Sequence, residues 1–385
     1  MNAITHYHNI YIIGKYGKLF IAVLGVVILQ KSFGQLNDFV AKNNWLLFFW
    51  GLCVLFTLVR IWEKGFDLTL IQNNILFILF IYFFYLLSLA FKIKYGRPNY
   101  YFFKYLSYAL NVNLLFWTVF AILYPFTMWH TLEGRTGLGL FYENYIQLGI
   151  FACVGAITHL TLFRYKIKKD QKIYFVMFIL YTALVILSNS RNSQLILFIF
   201  ILFNLFPYFK KITLKYIYLL VCCAVILFAF YFSSEILLME SLTDLTTGRT
   251  AIWYYVFEYF SQNTILLGEG IFGLNNTILE NNSASNYYFQ RLDVLYFHSS
   301  YMEIFSASGI IGFICFILFI IRSLRRKKRF FLVTILISIL IGGLFESFLV
   351  QPTILVSFLF WYLIVARTEV LAKRQPLKLR NNPIR

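Results

Sequence analysis

The feature that most constrains the fold of this chain is a series of long apolar runs that recurs along its whole length. Residues 71–91, for example, read IQNNILFILFIYFFYLLSLAF and contain no charged side chain. A helix of about 20 apolar residues crosses the hydrocarbon core of a bilayer. Only 13% of the 385 residues are charged, too few to cover a soluble domain of this size. The sequence therefore predicts an all-α, polytopic integral membrane protein.

The apolar runs predict about eleven (ten to twelve) transmembrane helices. The predicted spans are residues 19–30 (with Ile10 as an alternative start), 44–60, 71–91, 105–125, 140–163, 173–188, 193–209, 213–232, 299–321, 331–350 and 353–366. They divide the chain into an N-terminal transmembrane bundle (1–232, about eight spans), an outer loop (233–297), C-terminal transmembrane helices (298–366) and a basic cytoplasmic tail (367–385).

The basic residues predict the orientation, because Lys and Arg collect in cytoplasmic loops. With the tail inside, 26 of the 34 Lys and Arg residues lie inside and 8 outside. This placement explains the net charge of +18 without a nucleic-acid partner. Eleven spans place the N-terminus outside, although Lys15 and Lys18 would suit the inside, so the alternative is one more span among the first hundred residues.

The predicted outer loop, residues 233–297, contains seven acidic and two basic residues. Within it, RTAIWYYVFEYFSQN (249–263) carries apolar residues at helical spacing, which predicts an amphipathic helix in the membrane interface. The following NNTILENNSASN (275–286) is polar and has no periodicity, which predicts an irregular loop. The helix residues concerned are Ile252, Trp253, Val256, Phe257 and Phe260.

Three outer side chains are not explained by topology, and each has two readings. Arg191, in a short turn between spans, either pairs with an anion or extends to a lipid headgroup. Arg249, beside a helix start, is either part of a phosphate site or a solvated surface residue. His298, before a span, is either a proton acceptor or a capping residue, with Glu303 available to orient it. Glu346 is a further carboxylate near the outer end of its span.

Motifs for bound cofactors and metals are absent from the sequence. There is no phosphate-binding loop of the GxxxxGK[ST] type, no HExxH and no Cys/His cluster, and the five cysteines all lie in apolar runs. We therefore expect no cofactor and no catalytic metal. The arginines and the histidine together indicate a site at the outer membrane surface for an anionic, lipid-linked substrate.

The ordered segments SNSRNS (188–193), TGRTAIWYYVFEYFSQNTILLGEGIFG (247–273) and FHSSYMEIFSASGIIG (297–312) resemble the motifs of the O-antigen polymerase and O-antigen ligase superfamily. The upstream GRTGLGLFYENYIQLG (134–149), with Arg135 and Asn144, also resembles that family. Two positions depart from its pattern: Ser299 stands where Asn often follows His, and Glu143 stands where Pro is usual.

The resemblance implies a metal-independent membrane glycosyltransferase of the GT-C type in the bacterial inner membrane, with its active site facing the periplasm. Its substrate would be an undecaprenyl-pyrophosphate-linked glycan, and membrane lipids and the pathway's chain-length regulator and flippase would be partners. Arg191, Arg249 and Arg135 would bind the pyrophosphate, and Trp253 and Asn144 the glycan. His298 and Glu303 would be catalytic.

Three functions remain open at this stage. The first is polymerisation of lipid-linked repeat units into O-antigen, capsular or exopolysaccharide, and the second is ligation of finished polymer to a lipid A core. The third is a transporter or flippase of lipid-linked glycan. Transporters usually have charged residues deep in the helix bundle and are built from two repeated halves, whereas the notable residues here lie on the predicted outer side and no internal repeat is evident. A non-catalytic assembly protein would leave the arginines and the histidine unexplained.

Overall fold

The computed structural model describes residues 23–30, 36–66, 68–123, 128–132, 135–140, 145–165, 170–205, 249–262, 266–282, 296–327, 329–351 and 354–366. Residues 23–30 are helical. The further helices are α1 (Leu36–Lys42), α2 (Asn44–Lys64), α3 (Leu68–Tyr95), α4 (Pro98–Leu123), α5 (Tyr145–Arg164), α6 (Gln171–Leu187), α7 (Arg191–Leu205), α8 (Arg249–Gln262), α9 (Gly273–Asn282), α10 (Ser300–Arg325), α11 (Phe330–Gly342) and α12 (Leu355–Val365).

Helices occupy the predicted spans where the structure describes their residues, except that the span 331–350 is interrupted after Gly342. Five helices, α2 to α5 and α10, are long and apolar enough to cross a membrane. Four shorter apolar helices, α6, α7, α11 and α12, pack with them. The chain is therefore a multi-pass helical membrane protein, and the predicted span 213–232 lies outside the described residues.

The helices of the bundle alternate in direction, so their ends meet at two opposite faces. At one face, which we call the basic end, the Arg326 guanidinium donates to Lys42 O (2.8 Å) and the Lys327 ammonium to Ala366 O (2.9 Å). The opposite face, which we call the site end, carries the last residues of α2 and α6 and the first residues of α7 and α10. Contacts place Arg249 and His298 at this end beside Glu346, and the start of α7, which Arg191 begins, beside Gly342.

Helix α5 is the most enclosed of the long helices because small residues let its neighbours approach closely. A Cβ at Gly155 would lie 2.3 Å from the Tyr181 ring, and one at Gly149 would lie 2.4 Å from Ser190 Cβ. Small residues are typical of helix contacts in membranes, where close packing rather than the hydrophobic effect holds helices together. Helix α6 and the start of α7 are thereby fixed against α5.

Two elements differ from the sequence-based prediction. Two short strands, β1 (Trp129–Leu132) and β2 (Arg135–Leu138), pair as a small antiparallel hairpin within the otherwise helical fold. Residues 273–282 form α9, although the Asn-rich segment 275–286 was predicted to be an irregular loop. Leu274 and Ile278, four residues apart, are buried against α8, and this tertiary packing outweighs the weak helix propensity of asparagine.

Helix α8 confirms the predicted helix at 249–263, but its apolar face is not free for the membrane interface. Ile252, Val256 and Phe260 are buried with Leu274 and Ile278 of α9. Phe297 and Met302 complete the same cluster. A helical spacing of apolar residues predicts a buried stripe, but it does not specify whether lipid or protein covers it.

The predicted span 331–350 is wrong as a continuous helix. Helix α11 ends at Gly342, and after a turn the chain forms a short 3₁₀ helix at Phe348–Val350 before α12 begins. At a rise of about 1.5 Å per residue, α11 and α12 are roughly 20 and 17 Å long, shorter than a hydrocarbon core of about 30 Å. The irregular segment 343–351 therefore lies within the bundle, where Phe348, Leu349 and Val350 are buried.

Helix α10 is kinked at Gly309, which has φ 60° and ψ −172°. The kink frees carbonyl groups that a regular helix would use, and the segment 266–270 bonds to them: Glu269 N donates to Ser306 O (2.8 Å) and Gly270 N to Ala307 O (3.0 Å). A Cβ at Gly309 would lie 2.3 Å from Leu266 O, so this contact requires glycine.

Candidate functional site

The centre of the site end is the carboxylate of Glu346, which two predicted site residues share. Arg249 Nη2 lies 3.1 Å from Glu346 Oε1, and His298 Nδ1 lies 3.8 Å from Glu346 Oε2. The first is a charge-assisted hydrogen bond, and the second is an ion-pair distance if the imidazole is protonated. All three side chains are partly exposed, so the group is open to a ligand.

The start of α10 fixes the backbone that carries Glu346. Ser300 N donates to Gly343 O (2.8 Å) and to Glu346 O (3.0 Å), and Ser300 Oγ donates to Glu346 O (2.6 Å). Ser299 N donates to Ser347 Oγ (3.1 Å). The first amides of a helix have no partner within the helix, and here the segment after α11 supplies those partners. The two serines that follow His298 thus position Glu346 beside it.

The backbone of His298 is held in a left-handed conformation, with φ 50°. A non-glycine residue in this region costs about 1–3 kcal/mol and persists where its surroundings enforce it. One such restraint comes from α8, because Trp253 Nε1 donates to Phe297 O (2.6 Å). Trp253 was predicted to bind the glycan, and that role stays a prediction. In the structure its indole N–H bonds to the turn that carries His298.

Glu303 is buried behind the same turn and does not pair with the imidazole. Its Oε1 accepts from Phe297 N (2.9 Å) and from Asn275 Nδ2 (3.2 Å). The carboxyl therefore holds the backbone before His298 against α9. A catalytic part for Glu303 stays a prediction, whereas the carboxylate that faces the imidazole is that of Glu346.

The turn before Arg191 lies against the β-hairpin. Asn189, with φ 55°, donates from Nδ2 to Thr136 O (3.3 Å), and a Cβ at Gly137 would lie 2.3 Å from Ser188 O. Arg191 is exposed at the first residue of α7, and no ion-pair partner for it is found among the residues that the structure describes.

The other predicted residues on this side are less well defined. The Arg135 backbone begins β2, next in sequence to the Thr136 that contacts the turn, while Asn144 lies outside the described residues. The Asn192 Oδ1 lies 3.3 Å from the position of a Cβ on Gly342, four residues before Glu346. This contact places the start of α7 next to the segment that carries Glu346. The roles of Arg191, Arg135 and Asn144 stay predictions.

A second charged cluster, which sequence reasoning did not single out, centres on Arg60 at the end of α2. Arg60 Nη1 lies 2.5 Å from Glu269 Oε2, and Arg60 Nη2 donates to Thr277 Oγ1 (2.7 Å). Burial and the neighbouring Glu269 raise the pKa of the Tyr259 phenol, which remains protonated and donates to Glu269 Oε1. We call this group (Arg60, Tyr259, Glu269 and Thr277) the α2 latch. It ties α8, α9 and the segment on the α10 kink to the bundle.

A signal for the latch was present in the sequence. Arg60 is one of the eight basic residues on the predicted outer side, the same feature that drew attention to Arg191. The sequence argument used Arg60 only to assign the orientation of the protein in the membrane. Its partner Glu269 is 209 positions away, a pairing that no local pattern reveals.

The described residues contain no group of three or more His, Cys, Asp or Glu side chains that could hold a metal ion. The arrangement that is present suits an anion: a guanidinium and an imidazole converge on one carboxylate, at a break in the membrane helices. An anionic ligand could exchange with that carboxylate at Arg249.

Fold and site together define a multi-pass helical membrane protein in which Arg249 of α8 and His298 before α10 converge on the Glu346 carboxylate at one end of the bundle. Residues 176–317 match the model of the family described as O-antigen ligase. This match supports the resemblance to the O-antigen ligase and polymerase superfamily that the motifs of the segment predicted, and members of that family are glycosyltransferase-like enzymes. The upstream segment 134–149 lies outside the matched range. No curated protein and no solved structure matches the chain significantly.

Proposed function

We propose that this protein polymerises undecaprenyl-pyrophosphate-linked oligosaccharide repeat units into O-antigen, capsular or exopolysaccharide at the outer face of the cytoplasmic membrane. The observation that carries the proposal is the convergence of Arg249 and His298 on the Glu346 carboxylate. One group is suited to a phosphate and the other to a proton, and glycosyl transfer from a pyrophosphate needs both. The family match to residues 176–317 supports the same chemistry.

In the proposed reaction a hydroxyl oxygen of the acceptor glycan attacks the anomeric carbon of the donor glycan. The bond between that carbon and the pyrophosphate oxygen breaks, and undecaprenyl pyrophosphate leaves with the electron pair. The hydroxyl proton passes to the imidazole of His298. Arg249 binds the pyrophosphate and stabilises the negative charge that develops on the leaving oxygen.

Arg191 and Arg135 supply additional positive charge to the lipid-linked phosphates in this proposal. Both residues lie at the site end, on a turn and a hairpin that pack together. A long, doubly charged donor would extend from Arg249 towards this turn. Binding energy from such remote contacts can be used to orient the reacting atoms.

The close alternative is transfer of finished polymer to a lipid A core, because the matched family is described as O-antigen ligase. Both reactions use the same donor and would use the same residues. The acceptor distinguishes them: a growing lipid-linked chain for the polymerase, a core sugar for the ligase.

Deletion of the gene, followed by gel analysis of surface and lipid-linked glycans, tests the proposal. A polymerase deletion is expected to leave single repeat units in place of long chains, whereas a ligase deletion accumulates long, undecaprenyl-linked polymer. Unchanged surface and lipid-linked glycans in the deletion strain contradict both functions.

A further inference from the structure

We propose that Glu346 is a positioning residue that changes partner during the reaction. In the structure its carboxylate accepts a hydrogen bond from Arg249. When the donor pyrophosphate binds Arg249, the carboxylate is released to hold Nδ1 of His298. This inference rests on the proposed function and assigns to Glu346 the orienting part that the sequence suggested for Glu303.

The two contacts of the carboxylate are unequal. The Oε1 contact with Arg249 Nη2, at 3.1 Å, is a complete hydrogen bond. The Oε2 contact with His298 Nδ1, at 3.8 Å, exceeds the usual limit of about 3.2 Å for an N–H···O hydrogen bond by roughly 0.6 Å. One bond is therefore made and the other is a short movement away, which is the geometry expected before an exchange.

The surrounding structure allows the side chain of Glu346 to move while its backbone stays in place. Its carbonyl oxygen accepts from both Ser300 N and Ser300 Oγ, so the backbone is anchored to the start of α10. The side chain is 23% exposed and has only the two partners Arg249 and His298 among the described residues. A rotation of the side chain alone can thus shorten the contact with His298.

The exchange has a chemical consequence for the imidazole. A carboxylate at Nδ1 fixes the tautomer that carries its proton there, which leaves the lone pair on Nε2 free to accept the proton of the acceptor hydroxyl. After proton transfer the imidazolium lies beside a carboxylate and is stabilised by it. Until the donor binds, Glu346 remains bonded to Arg249. The imidazole is therefore oriented only when the donor is in place.

The experiment uses the purified protein in nanodiscs, with undecaprenyl pyrophosphate as a binding probe and an undecaprenyl-pyrophosphate-linked repeat unit as substrate. Glu346→Gln removes the charge but preserves the backbone bonds to Ser300. We expect kcat to fall by about 100-fold or more, because the imidazole loses its orienting partner. Affinity for undecaprenyl pyrophosphate should stay unchanged or rise, because Arg249 loses its internal competitor.

Two further variants separate positioning from structure. Glu346→Asp retains the charge and should recover part of the lost kcat, and the double variant Glu346→Gln/His298→Ala should be no slower than His298→Ala alone, because Glu346 acts through His298. Glu63→Gln, at an exposed glutamate at the end of α2, is the matched control.

A Glu346→Gln variant that keeps kcat within twofold, or that loses probe affinity in parallel with kcat, overturns this inference and leaves the proposed function intact. Failure of the unmodified protein to consume the lipid-linked repeat unit overturns the proposed function, and this inference with it.

Discussion

Arg249 and Glu346 form an ion pair of 3.1 Å although 97 positions separate them in the chain. Arg249 is the first residue of α8, a helix outside the predicted spans, and Glu346 lies in the break between α11 and α12. The pair joins α8 to the segment between α11 and α12. It is also the contact that an anionic donor would have to replace.

The first prediction concerns the shape of the cation at residue 249. Arg249→Ala should lower turnover by about 10²–10³-fold, the usual effect of removing one donor to a developing negative charge. Arg249→Lys should recover only a small part of that loss, because lysine keeps the charge but lacks the two-pronged geometry that matches phosphate. Turnover of the lipid-linked repeat unit measures both, with Arg322→Ala at the basic end as control. Full activity of Arg249→Lys would contradict this prediction, because it would show that a positive charge at residue 249 is sufficient without the geometry of the guanidinium.

The second prediction tests the α10 kink. Gly309→Ala places a Cβ 2.3 Å from Leu266 O at a residue with φ 60°. We expect a lower unfolding temperature and loss of activity, because the segment 266–270 can no longer bond to the kink. Gly51→Ala is the control: nothing lies within 4 Å of its Cβ, and removing a glycine within α2 should stabilise the helix by about 0.5–1 kcal/mol. Equal unfolding temperatures for the two variants would contradict the account of the kink.

The third prediction separates the two roles of Trp253. Phenylalanine keeps an aromatic face but cannot donate to Phe297 O. If the indole fastens the turn that presents His298, Trp253→Phe should lower kcat with little change in KM for the glycan. If it stacks on a sugar instead, kcat should be retained and Trp253→Ala alone should raise KM. Steady-state measurement of kcat and KM for Trp253→Phe and Trp253→Ala distinguishes the two roles.

The fourth prediction concerns the α2 latch. Arg60→Met leaves the largely buried Glu269 carboxylate without its main partner and should lower the free energy of unfolding by about 3–5 kcal/mol. The double variant Arg60→Met/Glu269→Leu removes both charges and should lose less than the single variant. Thermal unfolding in detergent compares them. A double variant less stable than Arg60→Met would mean that the ion pair is not the source of the effect.

The membrane fold could be predicted from the sequence because apolar length and charge position report directly on the bilayer. Helices occur at the predicted spans among the described residues apart from 331–350, and the turn at Arg191 and the helix beginning at Arg249 were both anticipated. The interruption of 331–350 was not anticipated, because the whole segment is apolar apart from a few residues and its length fits one membrane-spanning helix. Its only signals were the paired glycines and the carboxylate of Glu346.

The candidate site could be predicted only in its parts. Arg249 and His298 were identified because their positions oppose the charge bias or the apolar surroundings of a membrane protein. Their meeting at Glu346 depends on the packing of α8, α10 and α11, which no pattern within one segment encodes. The same limitation explains why Glu303, nearer in sequence, was assigned to His298, and why Arg60 was overlooked.

The most direct test of the central claim is the reaction of the purified protein with an undecaprenyl-pyrophosphate-linked repeat unit. The account predicts that the unmodified protein releases undecaprenyl pyrophosphate and forms a ladder of longer lipid-linked glycans. His298→Ala should remain folded and form both products about 10²–10⁴-fold more slowly. A ladder of normal length and rate from His298→Ala would contradict the account.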